Sequence, residues 1–434
     1  MARSNFRRCV STVAMVYMFQ FLLLLPILCY NLPFSSYFRA SFRSSNDTVN
    51  IVNHVNHQRV KSAYSYFKSQ VPGSNLRYYD SVGQSSEIFL TVAIVTVSRT
   101  VQNESEDLGY VLQTSAGIDK FAKSHHFSRK TFVFVCNVNL NPEEHKDAAF
   151  LKKYLPFSER YGLTSFQLED NDQIQNNFST YRTKTNESTY EKETWDYSYC
   201  LNVAKSFNSK YVLMVEDDAI PHEDLGNVLK FTLDNHLTDG TRGFPQRKEF
   251  AYLKLYYPER WQGYAYEASK MLELVSIGCV GGGVAILAFE LFVKYRRHSY
   301  KSKLCHCFLG MLFFILTAEF VGRQNIMEIR RLSKYLYTFQ QASGCCTQAM
   351  LYPSGIIDPL TKYLTTLTSF GHTDISIYDF IQETGIATYQ LEPNLFYHIG
   401  MQSTLHKFKI KRLEQFLFHM DAYDIQSLEG DDIR

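Results

Sequence analysis

Two apolar runs, Met271 to Val293 and Leu304 to Val321, flank ten residues, Lys294 to Lys303, that carry five Lys or Arg side chains and no acid. No other feature restricts the possible folds as much. About 20 apolar residues make one bilayer crossing, and basic residues collect on the cytoplasmic side of such crossings. The competing reading is a buried helical hairpin in a soluble core. Glu273, Glu290 and Glu319 speak for it, since a charge at the bilayer centre costs about 2.5–3.5 kcal/mol. All three, however, fall near the ends of the runs, where the cost is much smaller. Gly278, Gly281, Gly282 and Gly283 would weaken a soluble helix, whereas small residues let membrane helices approach closely. We therefore expect a membrane hairpin.

A third run, Val10 to Tyr30, has no charge and follows Arg3, Arg7 and Arg8. It is longer than the apolar core of about 7–15 residues in a cleaved signal peptide, and it reads as an anchor. With the N-terminus and the basic loop both cytoplasmic, the first crossing puts Asn31 to Lys270 on the far side. The second returns to the loop, and the third sends Gly322 to Arg434 across again, so the two large segments share one compartment. The expected organisation is a tail at 1–9, an anchor at 10–30, a stem at 31–66, the first part of a domain at 67–270, helices at 271–293 and 304–322 around the loop 294–303, and the second part at 323–434. The stem is polar and rich in Ser and Asn, a composition that favours an unstructured spacer.

Cysteines and glycosylation signals agree with a secretory lumen. Cys136, Cys200, Cys345 and Cys346 lie in the far-side segments. The readings are disulfides or free buried thiols. Four cysteines allow about three connectivities, and a bridge between neighbours such as Cys345 and Cys346 is the least expected. Asn46, Asn103, Asn177 and Asn186 each open an acceptor sequon on the same side, a weak signal in a chain rich in Asn and Ser. The basic residues form short blocks beside apolar runs rather than a stripe interleaved with exposed aromatics, which argues against nucleic acid as a partner.

Within the far-side segments the apolar stretch Tyr211 to Val215 ends in Glu216, Asp217 and Asp218 and is stopped by Pro221. Such a stretch reads as a buried strand of an α/β sheet, and ligands gather at the carboxyl ends of such strands. Alternation along a strand puts Glu216 and Asp218 on one face and Asp217 on the other. Three adjacent anions point to a bound divalent cation, Mg²⁺ or Mn²⁺ rather than zinc. An exposed acidic turn is the bland alternative. Upstream, the strand Ile88 to Arg99, the helix Leu108 to Ala122 and the strand Thr131 to Val138 form a right-handed parallel unit, which puts a nucleotide site at the first strand's end.

Further on, Asp196 sits near the start of a helix that leads into the carboxylate strand, where it is a cap or a ligand. Strands Ala251 to Trp261 and Cys345 to Pro353 lie on either side of the hairpin, so the sheet resumes where the hairpin interrupts it. Asp374 lies near the start of a helix within His372 to Phe380, and His398 ends a short apolar stretch before Gly400. A lone histidine there is structural unless a carboxylate metal site lies near, in which case it is a further ligand.

These blocks resemble the GT-A class of nucleotide-sugar glycosyltransferases, with Glu216-Asp217-Asp218 in the place of the Asp-x-Asp motif. An anchor, a domain split by a membrane hairpin, Leu253-Lys254-Leu255-Tyr256-Tyr257-Pro258-Glu259-Arg260 before it, Cys345-Cys346-Thr347 after it, and Glu392-Pro393-Asn394 with His398-Ile399-Gly400 near the end are similar to the post-GPI attachment to proteins factor 4 family. The resemblance implies an α/β, GT-A-type (Rossmann-like) domain with an N-terminal anchor and an inserted hairpin. It implies transfer of N-acetylgalactosamine from UDP-GalNAc to the first mannose of the glycosylphosphatidylinositol (GPI) of anchored proteins, with inversion, in the Golgi lumen. The metal, Mn²⁺ or Mg²⁺, would rest on Asp218 and His398 with Glu216 beside it. Val97, Ser98, Arg99, Asp196 and Asp217 would serve the UDP-sugar donor. Asp374 would be the catalytic base, with Asp358, Asp379 and Glu383 as rivals. The alternatives are another lumenal GT-A enzyme, like the branching N-acetylglucosaminyltransferases, and a non-catalytic membrane module on the same fold.

Overall fold

The computed structural model describes residues 12–38, 45–85, 87–99, 108–127, 129–166, 172–184, 188–237, 250–292, 300–401, 416 and 418. These fall into two compact units. The larger draws on Val52–Tyr257 and Ser333–Arg412 and is mixed α/β. Its sheet contains strands β1 (Leu90–Thr96), β2 (Thr131–Asn137), β3 (Phe157–Glu159), β4 (Tyr211–Glu216), β6 (Phe250–Lys254), β7 (Thr338–Gln341), β8 (Ala349–Pro353) and β9 (Ala387–Glu392) in the order β3-β2-β1-β4-β8-β6-β9-β7. A separate antiparallel pair joins β5 (Ala219–Pro221) to β10 (Phe396–His398).

The first four strands of that order are parallel. Strand β8 then runs antiparallel to both β4 and β6. β-Branched and aromatic residues give β1, β2 and β4 their extended preference, and all but two of their residues are buried, as befits parallel strands covered on both faces. The Tyr110–Lys123 helix crosses from β1 towards β2 and is buried along most of its length. The Thr189–Lys205 helix starts where the Ser188 side chain accepts the Glu191 amide, a cap that satisfies one of the orphan donors of its first turn. Because β6 precedes the apolar hairpin and β8 follows it, neighbouring strands come from opposite sides of the insertion.

Three expectations are corrected. Part of the polar stem is a helix, Ser45–Ser69, with Ala63 and Phe67 in the core and Phe67 against Tyr154. Val60, Ala63, Tyr64 and Phe67 repeat at helical spacing, a pattern hidden by the surrounding Asn, His and Ser. The disulfides are Cys136–Cys200, which ties β2 to the Thr189–Lys205 helix, and the neighbour bridge Cys345–Cys346 that sequence reasoning ranked last. Cys346 has φ 77°, a left-handed backbone foreign to a strand, so β8 starts at Ala349 instead of Cys345. Of the sequons, Asn46 and Asn177 fall in helices, and Asn103 and Asn186 lie outside the described residues, as do the tail 1–9 and most of the basic loop.

The smaller unit contains the helices Ala268–Phe292 and Tyr300–Val321. Both are long and apolar enough to cross a bilayer, and few of their residues are covered by protein. A shorter apolar helix, Thr12–Leu28, packs beside them, with the Tyr17 hydroxyl donating to the Leu309 carbonyl at 2.6 Å. The chain is therefore membrane-associated. The two long helices approach so closely that a Cβ on Gly281 would collide with Phe314 and one on Gly310 with Ala285. Two of the three acidic residues are paired near the helix ends: Glu273 with Arg323 at 2.8 Å and Arg330 at 3.2 Å, Glu290 with Lys303 at 2.5 Å.

Candidate active site

Strands β1 and β4 run side by side with Val95 opposite Glu216, so their carboxyl ends meet. Thr96 closes β1, and its hydroxyl donates to Asp217 Oδ2 at 2.8 Å. Since that hydroxyl has one proton and gives it to the carboxylate, His145 Nε2, 2.7 Å away, is the donor to Thr96 Oγ1. Three residues on, Arg99 spreads its guanidinium over two carboxylates: Nη2 to Asp217 Oδ1 at 2.5 Å and Nη1 to Asp218 Oδ2 at 2.7 Å. Burial works against this cation, yet Asp217 and Asp218 outweigh it and hold Arg99 above its ordinary pKa. Burial likewise pushes Asp217 upward, with Arg99 opposing.

The β5–β10 pair brings in the last part of the chain. His398 lies opposite Ala219, which puts its Nε2 3.2 Å from Asp218 Oδ2. The Ile399 amide then donates to the Asp218 carbonyl at 2.8 Å. At Gly400 the backbone passes so close that any Cβ would run into the Asp218 carboxylate.

Glu216 faces elsewhere. Its Oε1 accepts from Thr347 Oγ1 at 2.6 Å, on the loop that leads into β8. The expectation that Glu216 and Asp218 share a face is therefore not met. The strand ends at Glu216, and the turn that follows escapes the alternation and turns Asp217 and Asp218 together onto Arg99. Beyond Thr347 lies a second polar group. Asp374 starts the Thr373–Thr384 helix, its Oδ1 accepting from the Ile375 amide at 2.8 Å and its Oδ2 from the Cys346 amide at 2.7 Å. Burial, reinforced by the charges of Glu216 and Asp374, pushes Glu193 up to about 8. The buried Lys254 donates to the carbonyls of Ser343 and Cys345, and desolvation lowers it to about 7.

The remaining predicted residues are less central. Val97 lines a small crevice with Arg99, Tyr110, His145, Asp147 and Asp217, and Ser98 is half-buried beside it. Asp196 is enclosed by Arg160 at 2.6 Å and Lys192 at 2.5 Å. Asp358 pairs with Lys205, Glu383 accepts from Tyr363, and Asp379 is exposed. Sequence reasoning missed Thr96, His145, Glu193 and Thr347. Parallel pairing itself carries the signal for Thr96, because the last residue of one strand must sit beside the end of its neighbour.

The donor set suits a hard divalent cation. A carboxylate oxygen and an imidazole nitrogen 3.2 Å apart match two adjacent ligands of an octahedral ion, which stand about 3 Å apart when the bonds are about 2.1 Å. Gly400 adds no side chain of its own to the carboxylate edge that Arg99 and His398 already approach. Among the described residues Asp218 and His398 are thus a candidate pair for such an ion. When the chain is compared with known families, the family model described as GPI-N-acetylgalactosamine transferase PGAP4 matches residues 90–397.

Proposed function

The chain belongs to the GPI-N-acetylgalactosamine transferase PGAP4 family, and we propose that it moves N-acetylgalactosamine from UDP-GalNAc to the first mannose of a GPI anchor. Membership makes it a glycosyltransferase whose acceptor is GPI-related. The observation that carries the finer reading is the meeting of Asp218, His398 and Arg99 at the ends of β1 and β4, the place where α/β sheets of this kind receive phosphate-bearing ligands. In the proposed GT-A arrangement Val97, Ser98 and Arg99 border the uridine and diphosphate. Asp217, tied to Thr96 and Arg99, supports the loop, and Asp196 stiffens the helix behind it.

Asp218 and His398 would hold Mn²⁺ or Mg²⁺, with Glu216 near; such an ion neutralises charge on a leaving diphosphate. The acceptor hydroxyl attacks the anomeric carbon from the face opposite the diphosphate. A new C–O bond forms, the bond to the β-phosphate oxygen breaks, UDP leaves, and the hydroxyl proton passes to Asp374, so the configuration inverts. Two backbone amides aim Asp374. We assign the reaction to the Golgi lumen, with the N-terminus and the basic loop cytoplasmic. The test is purified full-length protein with UDP-GalNAc, Mn²⁺ and a GPI acceptor. Transfer should occur and Asp218→Ala should abolish it. Transfer insensitive to that change overturns the site assignment.

A further inference from the structure

Strands β7 and β9 and the Thr373–Thr384 helix line a cleft of about 530 Å³, within the ~300–1,000 Å³ typical of small-molecule sites. Among the described residues none of the lining side chains is charged. Three aromatic rings, Phe339, Tyr378 and Tyr389, share the wall with the amides of Gln341 and Gln382, while the Thr388 side chain is bonded to Tyr252. Phe339 and Tyr389 meet edge to face, with ring centres 6.2 Å apart. Among the described residues neither Gln341 nor Gln382 spends its amide on another protein group, whereas Gln340 donates to Glu392 at 2.8 Å.

This chemistry selects a class of ligand. A phosphate or nucleotide needs cations or converging backbone amides, and no described residue that lines the cleft is a cation. An acyl chain would strip water from the Gln341 and Gln382 amides and return no hydrogen bond. A neutral sugar satisfies both halves of the wall: its C–H faces stack on the rings and its hydroxyls pair with the amides.

The cleft is also tied to the reacting end. Asp374 and Tyr378 stand one helical turn apart, on the same face. The Tyr378 ring covers Gly344, where a Cβ would come within 2.8 Å of it. Two residues further along that loop, the Cys346 amide holds Asp374. One short loop thus borders both the aromatic wall and the base.

We infer that this uncharged cleft is the subsite for neutral hexose residues of the acceptor glycan, a proposal that rests on the transferase reading above.

The probe is α-linked mannotriose, with its phosphorylated counterpart as control, and the protein is the full chain in detergent micelles. Saturation-transfer NMR should show contact with mannotriose and none with the phosphorylated sugar. Tyr378→Ala and, at an exposed position where folding is not in question, Gln382→Glu should each weaken that contact about tenfold, the loss of one stacking or one amide interaction. Both should raise KM for the lipid-linked acceptor by a similar factor, with the shift falling on the acceptor's KM instead of the donor's. No contact with mannotriose, or two variants whose acceptor KM stays within twofold, overturns the proposal. Mannotriose binding that both variants weaken, in a protein that transfers no sugar, upholds the cleft and removes the transferase reading. Transfer with both variants unaffected removes the cleft alone.

Discussion

The Cα of Gly400 stands where any side-chain carbon would collide with the carboxylate of Asp218. The adjoining Ile399 amide fixes the same turn by donating to the Asp218 carbonyl. An added methyl must therefore push the carboxylate aside or move the strand that carries His398. Displacement of a catalytic group by about 1 Å costs on the order of 10²-fold in rate. Gly400→Ala should lower kcat/KM by that order while the chain still folds. Steady-state kinetics beside a melting curve checks it, and activity within threefold of the parent would contradict it.

Arg99 holds two buried carboxylates at once. Lysine keeps the charge but cannot span both with one planar fork. Arg99→Ala leaves the pair unneutralised, a change that costs roughly 3–5 kcal/mol for buried ion pairs and should lower Tm by about 10 °C. Arg99→Lys should cost less. If Asp218 and His398 bind a divalent cation, millimolar Mn²⁺ should restore more of the lost Tm in Arg99→Ala than it adds to the parent. Equal shifts in both proteins would count against a shared carboxylate.

Lys254 gives a pH signature. Desolvation lowers it to about 7 in the folded chain, against an ordinary value of about 10.4. Below pH 7 both states carry the proton and the folded state bears the full cost of the buried charge. Between about 7 and 10.4 only the unfolded chain is protonated, so stability rises with pH. Lys254→Met should remove that rise. Melting curves of the two proteins from pH 6 to 10 should therefore diverge above 7, and parallel curves would refute the shift.

The hairpin predicts a split between two reactions. A GPI acceptor is confined to a membrane, and a protein tethered to the same surface meets it at a raised effective concentration. Replacing Ala268–Val321 with a soluble linker should spare hydrolysis of free UDP-GalNAc and weaken transfer to lipid-linked acceptor. Loss of both reactions, or of neither, would argue that the hairpin has another purpose.

Much of the fold could be read from local pattern. Continuous apolar runs marked β1, β2 and β4, and glycines with end-placed glutamates marked the hairpin, because burial and lipid impose strong one-dimensional signals. The helix at Ser45–Ser69 was obscured because its apolar stripe is narrow and set among polar residues. In the site, Asp218 beside His398 was anticipated through the family resemblance, but the side taken by Glu216 was not. Strand alternation applies only while the strand lasts, and β4 ends at that residue. The Cys345–Cys346 bridge defied expectation because proximity in sequence argues against such a pairing; it occurs with a left-handed backbone at Cys346, which no local pattern announces. Thr96 and His145 depend on strand register and a distant loop, neither of which has a local signature.

The interleaving of β6 and β8 has a consequence for the order of synthesis. Strand β8 separates β4 from β6 in the sheet, yet it is made only after both apolar helices. His398 and Gly400 follow later still. A growing chain that has emerged as far as Lys254 has its acidic turn but lacks the strand that flanks it and the imidazole that faces it. The centre therefore closes only once the hairpin has been synthesised, and every molecule with a complete site already carries its means of attachment to lipid.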